Sequence, residues 1–219
     1  MQIKAVIFDR DGVLTYFAVA EAVTFFQPLL PLSLEKISQQ WKQWGKAVGF
    51  PQNLTEEKRF FETFWHKIST EYRLSDEARK QLLQVDYALF LRPFSDARPA
   101  LLEVRRRRVR TAVLSNFTLA SLERSLVAVN LADLVEKAYA SIVIGATKPS
   151  LEAYEIASHS LEVLPEECLF FDDEPDCVEG GRLAGMHAYL VDRRRTTHAV
   201  KDKIVCDLTA IPEILANIE

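Results

Sequence analysis

Short apolar runs that alternate with helical patterns are the feature that most constrains how this sequence can fold. Four runs have the length and composition of buried parallel strands: Ile3–Phe8, Val109–Leu114, Cys168–Phe171 and His187–Val191. A weaker strand candidate is Val135–Ser141, and helical patterns occupy Leu119–Val129 and Leu151–His159. Alternating strands and helices are typical of a parallel sheet covered by helices. We therefore predict an α/β fold with a Rossmann-like, doubly wound parallel sheet.

The connection between the first two runs is too long for an ordinary strand–helix–strand unit. Asp9 and Ser115, which follow these runs, lie about 100 positions apart, whereas the whole unit needs roughly thirty residues. The excess, residues 15–93, shows apolar residues at helical spacing in four stretches. We predict that this segment is an inserted α-helical cap domain. Residues 1–14 and 94–219 then form the core domain.

The predicted cap is expected to contain helices and no strands. Ser33, Thr55 and Ser75 each stand close to the start of an apolar-periodic stretch, where the N-cap of a helix belongs. Aromatic residues such as Trp41 and Trp65 recur at helical spacing. This spacing favours the core of a helical bundle over stacking on a substrate.

Charge argues against nucleic acid as the main partner of this chain. The formal net charge is −4, so the whole molecule does not attract phosphate backbones. The run Arg105–Arg108 would point in all directions on a helix, which suits a helix C-terminus better than a binding stripe. We expect the second basic run, Arg193–Arg195, to form a solvated loop.

Cysteine usage and the N-terminal sequence favour a cytoplasmic location. Cys168, Cys177 and Cys206 are odd in number and lack metal-ligand spacing, which indicates reduced thiols. Residues Met1–Lys4 lead into a strand-like run without the basic and apolar regions of a signal peptide. No apolar run is long enough to cross a membrane. We expect no membrane partner, and either a monomer or a homodimer.

Polar residues follow the predicted strands at the point where each strand ends. Ligands of open parallel sheets bind beyond the carboxyl ends of the strands. The residues at these positions are Asp9, Asp11 and Gly12, then Ser115 and Asn116, then Lys148, and finally Asp172 and Asp173. Clustered carboxylates repel one another, so a divalent cation is a natural neutraliser. Oxygen ligands favour a hard ion such as Mg²⁺, which also tolerates phosphate oxygens.

The segments that carry these residues resemble the haloacid-dehalogenase-like (HAD) hydrolase superfamily. They are VIFDRDGVL, VLSN, TKPS and LFFDDEPDCVEGGRLAGM, and their order and strand context match as well. The resemblance implies a phosphatase with a HAD-like core and a helical cap inserted after the first motif. It also implies that Asp9 is the nucleophile and that Asp11 protonates the leaving group and later activates water. Ser115 would then bind the phosphoryl group, and Lys148 would balance charge beside Asp9.

The same resemblance implies a magnesium site and a phosphate site. Asp9, Asp173 and the backbone carbonyl of Asp11 would hold Mg²⁺, and Asp172 would reach the ion through water. The substrate phosphate would contact Ser115, Lys148 and the backbone near Gly12 and Asn116, since a glycine lets the turn approach the phosphate closely. The expected substrate is a small phosphorylated metabolite, such as a sugar phosphate or a nucleotide.

Several alternatives remain open at this stage. A phosphomutase would use the same catalytic residues, and a non-catalytic binding or regulatory protein would share the fold. A dehalogenase of the same family needs neither a metal nor a leaving-group acid, so Asp11 and the Asp172–Asp173 pair argue against it. A calcium loop is disfavoured because a strand precedes Asp9 and a third ligand is missing. Arg10 is an unusual residue between the two acids, and we expect its side chain to point away from the site.

Overall fold

Strands of two sheets organise residues 2–218, the part of the chain that the computed structural model describes. In chain order they are β1 (Ala5–Phe8), β2 (Thr15–Phe17), β3 (Leu91–Pro93), β4 (Arg110–Ser115), β5 (Lys137–Ala140), β6 (Cys168–Asp172), β7 (His187–Val191) and β8 (Ile204–Val205). Six of these form a parallel sheet in the order β5–β4–β1–β6–β7–β8. The short strands β2 and β3 pair antiparallel in a second sheet. The predicted α/β fold is therefore confirmed.

Helices connect the strands along the chain. They are α1 (Val19–Phe26), α2 (Leu34–Val48), α3 (Leu54–Glu71), α4 (Asp76–Leu82), α5 (Ala97–Arg106), α6 (Leu122–Ala128), α7 (Ser141–Ile144), α8 (Leu151–Ser160), α9 (Pro175–Leu183) and α10 (Ile211–Ile218). The four runs predicted as strands are β1, β4, β6 and β7 of the main sheet, and the weaker fifth candidate is β5; the two-residue strand β8 was not predicted. None of the helices within residues 2–218 combines the length and the apolar content needed to cross a bilayer.

Successive residues of the central strands enter opposite apolar cores. Val6 and Phe8 of β1 face one core, which α5, α6 and α10 complete, whereas Ala5 and Ile7 face the other, where Tyr154 of α8 packs. Both faces of the sheet are thus covered by helices. This explains why the parallel strands are continuous apolar runs and not alternating ones. It also confirms the doubly wound arrangement.

The segment between β2 and β3 forms a third apolar core of its own. Helices α1 to α4 surround Phe64, Trp65 and Ile68, which are almost fully buried, and Trp41 packs against them. The N-caps Ser33 and Ser75 are confirmed, because each hydroxyl accepts a bond from a backbone amide of the first turn. The third predicted N-cap, Thr55, and the prediction that the insert contains no strands need correction.

Two predictions about the inserted segment are wrong in detail. The N-cap of α3 is Asn53 and not Thr55, because the Asn53 side chain accepts bonds from two amides of the first turn. The insert is not purely helical, since β2 pairs with β3 at its two ends. Strands of three residues are too short to show an alternating pattern in a sequence.

Arg193 ties together both chain segments that connect the core to the insert. Its guanidinium donates to the carbonyl oxygens of Gly12 at 3.0 Å and Val13 at 2.5 Å, just before β2. It also binds both carboxylate oxygens of Asp96 at 3.1 and 3.0 Å and lies 3.5 Å from the centre of the Phe94 ring, just after β3. The prediction of a solvated Arg193 is therefore wrong, although Arg194 and Arg195 are exposed.

We predict that Arg193→Met lowers the free energy of unfolding by about 2 kcal/mol, because it removes charged hydrogen bonds from partly buried carbonyl and carboxylate oxygens. Urea unfolding monitored by tryptophan fluorescence measures the change. The matched control is Arg194→Met, since the Arg194 side chain is 91% exposed and pairs with Asp192, its neighbour but one in the chain. That control should unfold nearly as the wild type does. Equal unfolding midpoints for the two variants would contradict the prediction that the contacts of Arg193 stabilise the fold.

Candidate active site

A cavity of about 270 Å³ opens at the carboxyl ends of β1, β4 and β6. It is lined by Asp9, Asp11, Gly12, Ser115, Asn116, Lys148, Asp172, Asp173 and Glu174. All the candidate site residues named from the sequence therefore meet in one place, together with Glu174. The parallel sheet explains the meeting, because strands that run in one direction end at the same edge.

Lys148 lies between two buried carboxylates at the bottom of this cavity. Its ammonium donates to Oδ1 of Asp9 at 2.7 Å and to Oδ2 of Asp172 at 2.6 Å. All three residues are less than a tenth exposed. Burial opposes the charged ammonium, but attraction from Asp9 and Asp172 outweighs it and raises the pKa of Lys148. Burial raises the pKa of Asp9, and the charge of Asp172 adds to this effect against the opposing attraction of Lys148.

The sheet and one asparagine position these three charges. Phe8 of β1 is in register with Phe171 of β6, so Asp9 and Asp172 follow as neighbours. The Asn116 side chain accepts from the Lys148 amide at 2.9 Å and donates to the Lys148 carbonyl at 2.8 Å. Asn116 thus holds the backbone of Lys148.

Asp11 is held at the cavity wall by residues on both sides of it in the chain. Arg10 donates to Oδ1 of Asp11 at 3.1 Å and to Oδ2 at 2.5 Å, and the Thr15 hydroxyl donates to Oδ1 at 3.0 Å. The Asp11 side chain remains 44% exposed, whereas the Arg10 side chain is fully buried. Arg10 therefore points away from the cavity, as the sequence led us to expect.

Gly12 and Asp173, which both line the cavity, lie against each other. Gly12 has a φ of +82°, and a Cβ atom added there would come within 2.1 Å of Asp173 Oδ2. The absence of a side chain at residue 12 is thus what lets the Asp173 carboxylate occupy its place. Desolvation by the cavity walls, followed by the charge of Asp172, raises the pKa of Asp173 to about 6. No ion pair forms at Asp173 within residues 2–218.

The donor chemistry of the cavity fits a magnesium ion. Five carboxylates line it against the single ammonium of Lys148, and one of the five, Asp11, is paired with Arg10. The remaining negative charge calls for a cation, and the available donors are oxygens, which suit a hard divalent ion. Asp9, Asp173 and the backbone carbonyl of Asp11 are the groups that would hold it.

Asp172, Glu174 and Cys177 lie close enough together to hold a metal ion, but hydrogen bonds to Lys148 and to one another already engage them. Oδ2 of Asp172 binds Lys148, and Oδ1 accepts from the Glu174 amide at 2.9 Å. The Cys177 thiol donates to Glu174 at 3.2 Å, and burial raises the pKa of this thiol, so it stays protonated. Cys168 and Cys177 are both buried and free, as predicted for packed thiols.

Sequence reasoning assigned no role in the site to several residues that shape it. Arg10 and Thr15 fix Asp11, Glu174 lines the cavity, and Arg193 binds the carbonyl of Gly12. The signal for Arg10, Thr15 and Glu174 was nearness in sequence to a catalytic motif. Arg193 gave no such signal, because all its partners, the carbonyls of Gly12 and Val13 and the carboxylate of Asp96, are distant from it in sequence.

The family model for haloacid dehalogenase-like hydrolases matches residues 3–185 of this chain. The chain belongs to this family. Members act by different reactions, as the similar proteins show. A protein of Mycobacterium tuberculosis named as a phosphatase is 41% identical over 216 residues, which are 98% of each chain. An (S)-2-haloacid dehalogenase of a Pseudomonas species is 26% identical over 229 residues, which span 98% of this chain and 96% of the dehalogenase.

Solved structures of HAD-family members share the fold. The L-2-haloacid dehalogenase of Xanthobacter autotrophicus aligns over 100% of both chains with a TM-score of 0.68 and 20% identity. A HAD phosphatase of Thermococcus onnurineus aligns over 97% of this chain and 98% of its own, with a TM-score of 0.64 and 18% identity. At such low identity the comparison establishes the fold alone, and the reaction must be argued from side chains.

We predict that Gly12→Ala destabilises the protein more than Gly145→Ala does. Both glycines have positive φ, +82° and +74°, so each alanine carries about 1–2 kcal/mol of left-handed backbone strain. Only the alanine at residue 12 also meets a neighbour, since the space around Gly145 is open. Urea unfolding of both variants in chelator measures the difference, and a crystal structure should show Asp173 displaced in Gly12→Ala alone. Equal destabilisation with an unmoved Asp173 would refute the close contact.

Proposed function

We propose that this protein is a magnesium-dependent phosphatase that hydrolyses a small phosphate monoester through a phosphorylated Asp9. The observation that carries the proposal is that two carboxylates with different partners, Asp9 and Asp11, line the same cavity. Asp9 is buried against Lys148, which suits a nucleophile held in place. Asp11 is half-exposed, which suits an acid that must meet the leaving group and then water.

In the first step, an Asp9 oxygen attacks phosphorus and the bond from phosphorus to the leaving oxygen breaks. Lys148 donates to Oδ1 of Asp9, so Oδ2 is the oxygen assigned to attack. Asp11 gives its proton to the leaving oxygen. In the second step, Asp11 removes a proton from water, the water oxygen bonds to phosphorus, and the Asp9–phosphorus bond breaks to release inorganic phosphate. A carboxylate nucleophile thus divides one difficult hydrolysis into two steps.

The rest of the cavity suits a transferring phosphoryl group. The Ser115 hydroxyl and the backbone near Gly12 and Asn116 line the space beside Asp9 and offer donors to phosphoryl oxygens. Asp172 is assigned to orient Lys148, since the two are joined directly. When bound, magnesium supplies positive charge that offsets the carboxylates and the phosphoryl oxygens. We place it on Asp9, Asp173 and the backbone carbonyl of Asp11.

The alternative reactions fit the cavity less well. Displacement of halide by Asp9 needs no acid at Asp11 and no metal, so it leaves Asp11 and Asp173 without a role. The relative at 41% identity is named as a phosphatase, which supports phosphate chemistry. A phosphomutase would use the same residues and pass the phosphoryl group from Asp9 to a sugar hydroxyl. A non-catalytic protein would have no need to keep every member of the set.

A panel of phosphorylated metabolites tests the proposal and separates these alternatives. Purified protein with Mg²⁺ is assayed for inorganic phosphate, for isomerised sugar phosphates and, with 2-haloacids in parallel, for halide. Release of phosphate supports the phosphatase. Halide release without phosphate release, isomerised products without free phosphate, or no turnover across the panel would each reject it in favour of the corresponding alternative.

We predict that Mg²⁺ raises the melting temperature of the wild type and that chelator reverses the shift. A ligand that binds only the folded state at 100 times its dissociation constant stabilises by about 2.7 kcal/mol. Asp173→Ala should abolish most of this shift, because it removes a proposed direct ligand. The control is Asp133→Ala, which alters an exposed acid that pairs with Arg98. Full phosphatase activity in excess chelator would reject the metal assignment.

We predict that Asp9→Asn lowers turnover by about 10⁴-fold or more, because the amide keeps the shape and loses the nucleophilic charge. The measurement combines phosphate release with peptide mass mapping after an acid quench. The wild type should carry a phosphoryl group on the peptide that contains Asp9, and the variant should not. Asp133→Asn serves as the surface control. A variant that keeps near wild-type turnover, free of contaminating phosphatase, would exclude the covalent route.

A further inference from the structure

Arg10 is a charged side chain with no exposed surface, although it stands between two acids that line the cavity. Burying a guanidinium is unfavourable unless its donors find partners. Arg10 does not line the cavity itself. Its charge must therefore act on something other than the substrate, and its hydrogen bonds identify what that is.

The guanidinium faces Asp11 with one edge and the core with another. Nε and one terminal nitrogen donate to the two oxygens of Asp11 at 3.1 and 2.5 Å. The other terminal nitrogen donates to the Ser125 hydroxyl of α6 at 3.0 Å. That hydroxyl in turn donates to the Leu122 carbonyl at 2.6 Å, which leaves an oxygen lone pair for Arg10. A planar fork of this kind binds a carboxylate in one orientation, which a lysine cannot do.

Aromatic rings from the core and the insert fix the same guanidinium. Its central carbon lies 4.0 Å from the centre of the Phe117 ring, in the loop after β4. It lies 5.4 Å from the ring of Tyr87, which belongs to the inserted segment. The two rings also contact each other, with centroids 5.5 Å apart. Ser125, Phe117 and Tyr87 thus hold the guanidinium in place. Among the partners of Arg10 named here, Asp11 alone lines the cavity.

We infer that Arg10 is a positioning residue that holds Asp11 in the orientation needed for proton transfer to the leaving group. The inference rests on the phosphatase function proposed above. Without the fork, the half-exposed Asp11 side chain would retain only the Thr15 hydroxyl as a fixed partner and would sample several rotamers. When Asp11 gives its proton to the leaving oxygen, the carboxylate that remains is the form that the fork binds best.

The test compares two leaving groups in single-turnover phosphorylation of Asp9. An alkyl phosphate leaves as a strong base and needs the proton, whereas nitrophenyl phosphate leaves as a weak base and hardly needs it. Asp11→Asn, the benchmark, should slow the alkyl reaction far more than the nitrophenyl reaction. We expect Arg10→Met to show the same selective loss, about 10-fold or more larger for the alkyl substrate, since misplaced catalytic groups lose most of their effect. Arg10→Lys and Ser125→Ala should show it more weakly.

A double variant separates positioning from general damage to the fold. If Arg10 acts through Asp11, Arg10→Met should add no further selective loss when Asp11 is already asparagine. Arg98→Met is the matched control, because Arg98 forms a comparable fork with Asp133 at 2.8 and 2.9 Å on the surface. It should leave both rates unchanged. Where Arg10→Met does not fold, Arg10→Lys and Ser125→Ala decide the question.

The outcomes also separate this inference from the proposed function. If the wild type phosphorylates Asp9 and Asp11→Asn is selective, but the Arg10 and Ser125 variants slow both substrates equally, the positioning role is wrong and the phosphatase stands. Further selective loss in the double variant would likewise overturn it. If the wild type forms no phosphorylated Asp9 with either substrate, the proposed function fails, and the role of Arg10 fails with it.

Discussion

One buried ammonium shared by two buried carboxylates is the interaction on which the rest of this structure depends. Charges taken out of water are tolerable only when each is paired and hydrogen-bonded, and losing one partner leaves the others exposed to the full cost of desolvation. Lys148 meets Asp9 and Asp172 only if β1 and β6 are neighbours in the observed register. It also needs Asn116 to hold its backbone at the end of β4. The strand order, the register of β1 with β6 and the Asn116–Lys148 contact are therefore all needed to form this one cluster of charges.

The same arrangement explains why one fold serves different reactions. Apolar strands covered on both faces confine polar side chains to the strand ends, where they line one cavity. The fold is shared with both dehalogenases and phosphatases. Here the carboxylates outnumber the ammonium, and this excess underlies both the magnesium and the phosphate parts of the proposed function.

Two arginines hold the loop that follows β1. Arg10 belongs to the loop and its buried side chain binds Asp11, while Arg193, which follows β7, donates to the carbonyls of Gly12 and Val13. Both also contact rings that lie at or near the junction with the insert. The loop is therefore fixed by side chains that do not line the cavity. Such support is needed because the geometry of a catalytic group must be kept within a fraction of an ångström.

The sequence alone determined the fold class and the residues that meet in the cavity. It could do so because buried parallel strands are continuous apolar runs, and because polar residues after such runs must gather at one edge of a sheet. It did not determine the N-cap of α3, the β2–β3 pair or the partners of Arg10 and Arg193. The contacts of Arg193, and those of Arg10 with Ser125 and the aromatic rings, join residues far apart in the chain, and strands as short as β2 and β3 carry no periodic signal. The N-cap of α3 was misplaced by two residues because asparagine and threonine are both capping residue types. Only the tertiary structure decides which buried cation faces which oxygen, since any arginine carries the same charge in the sequence.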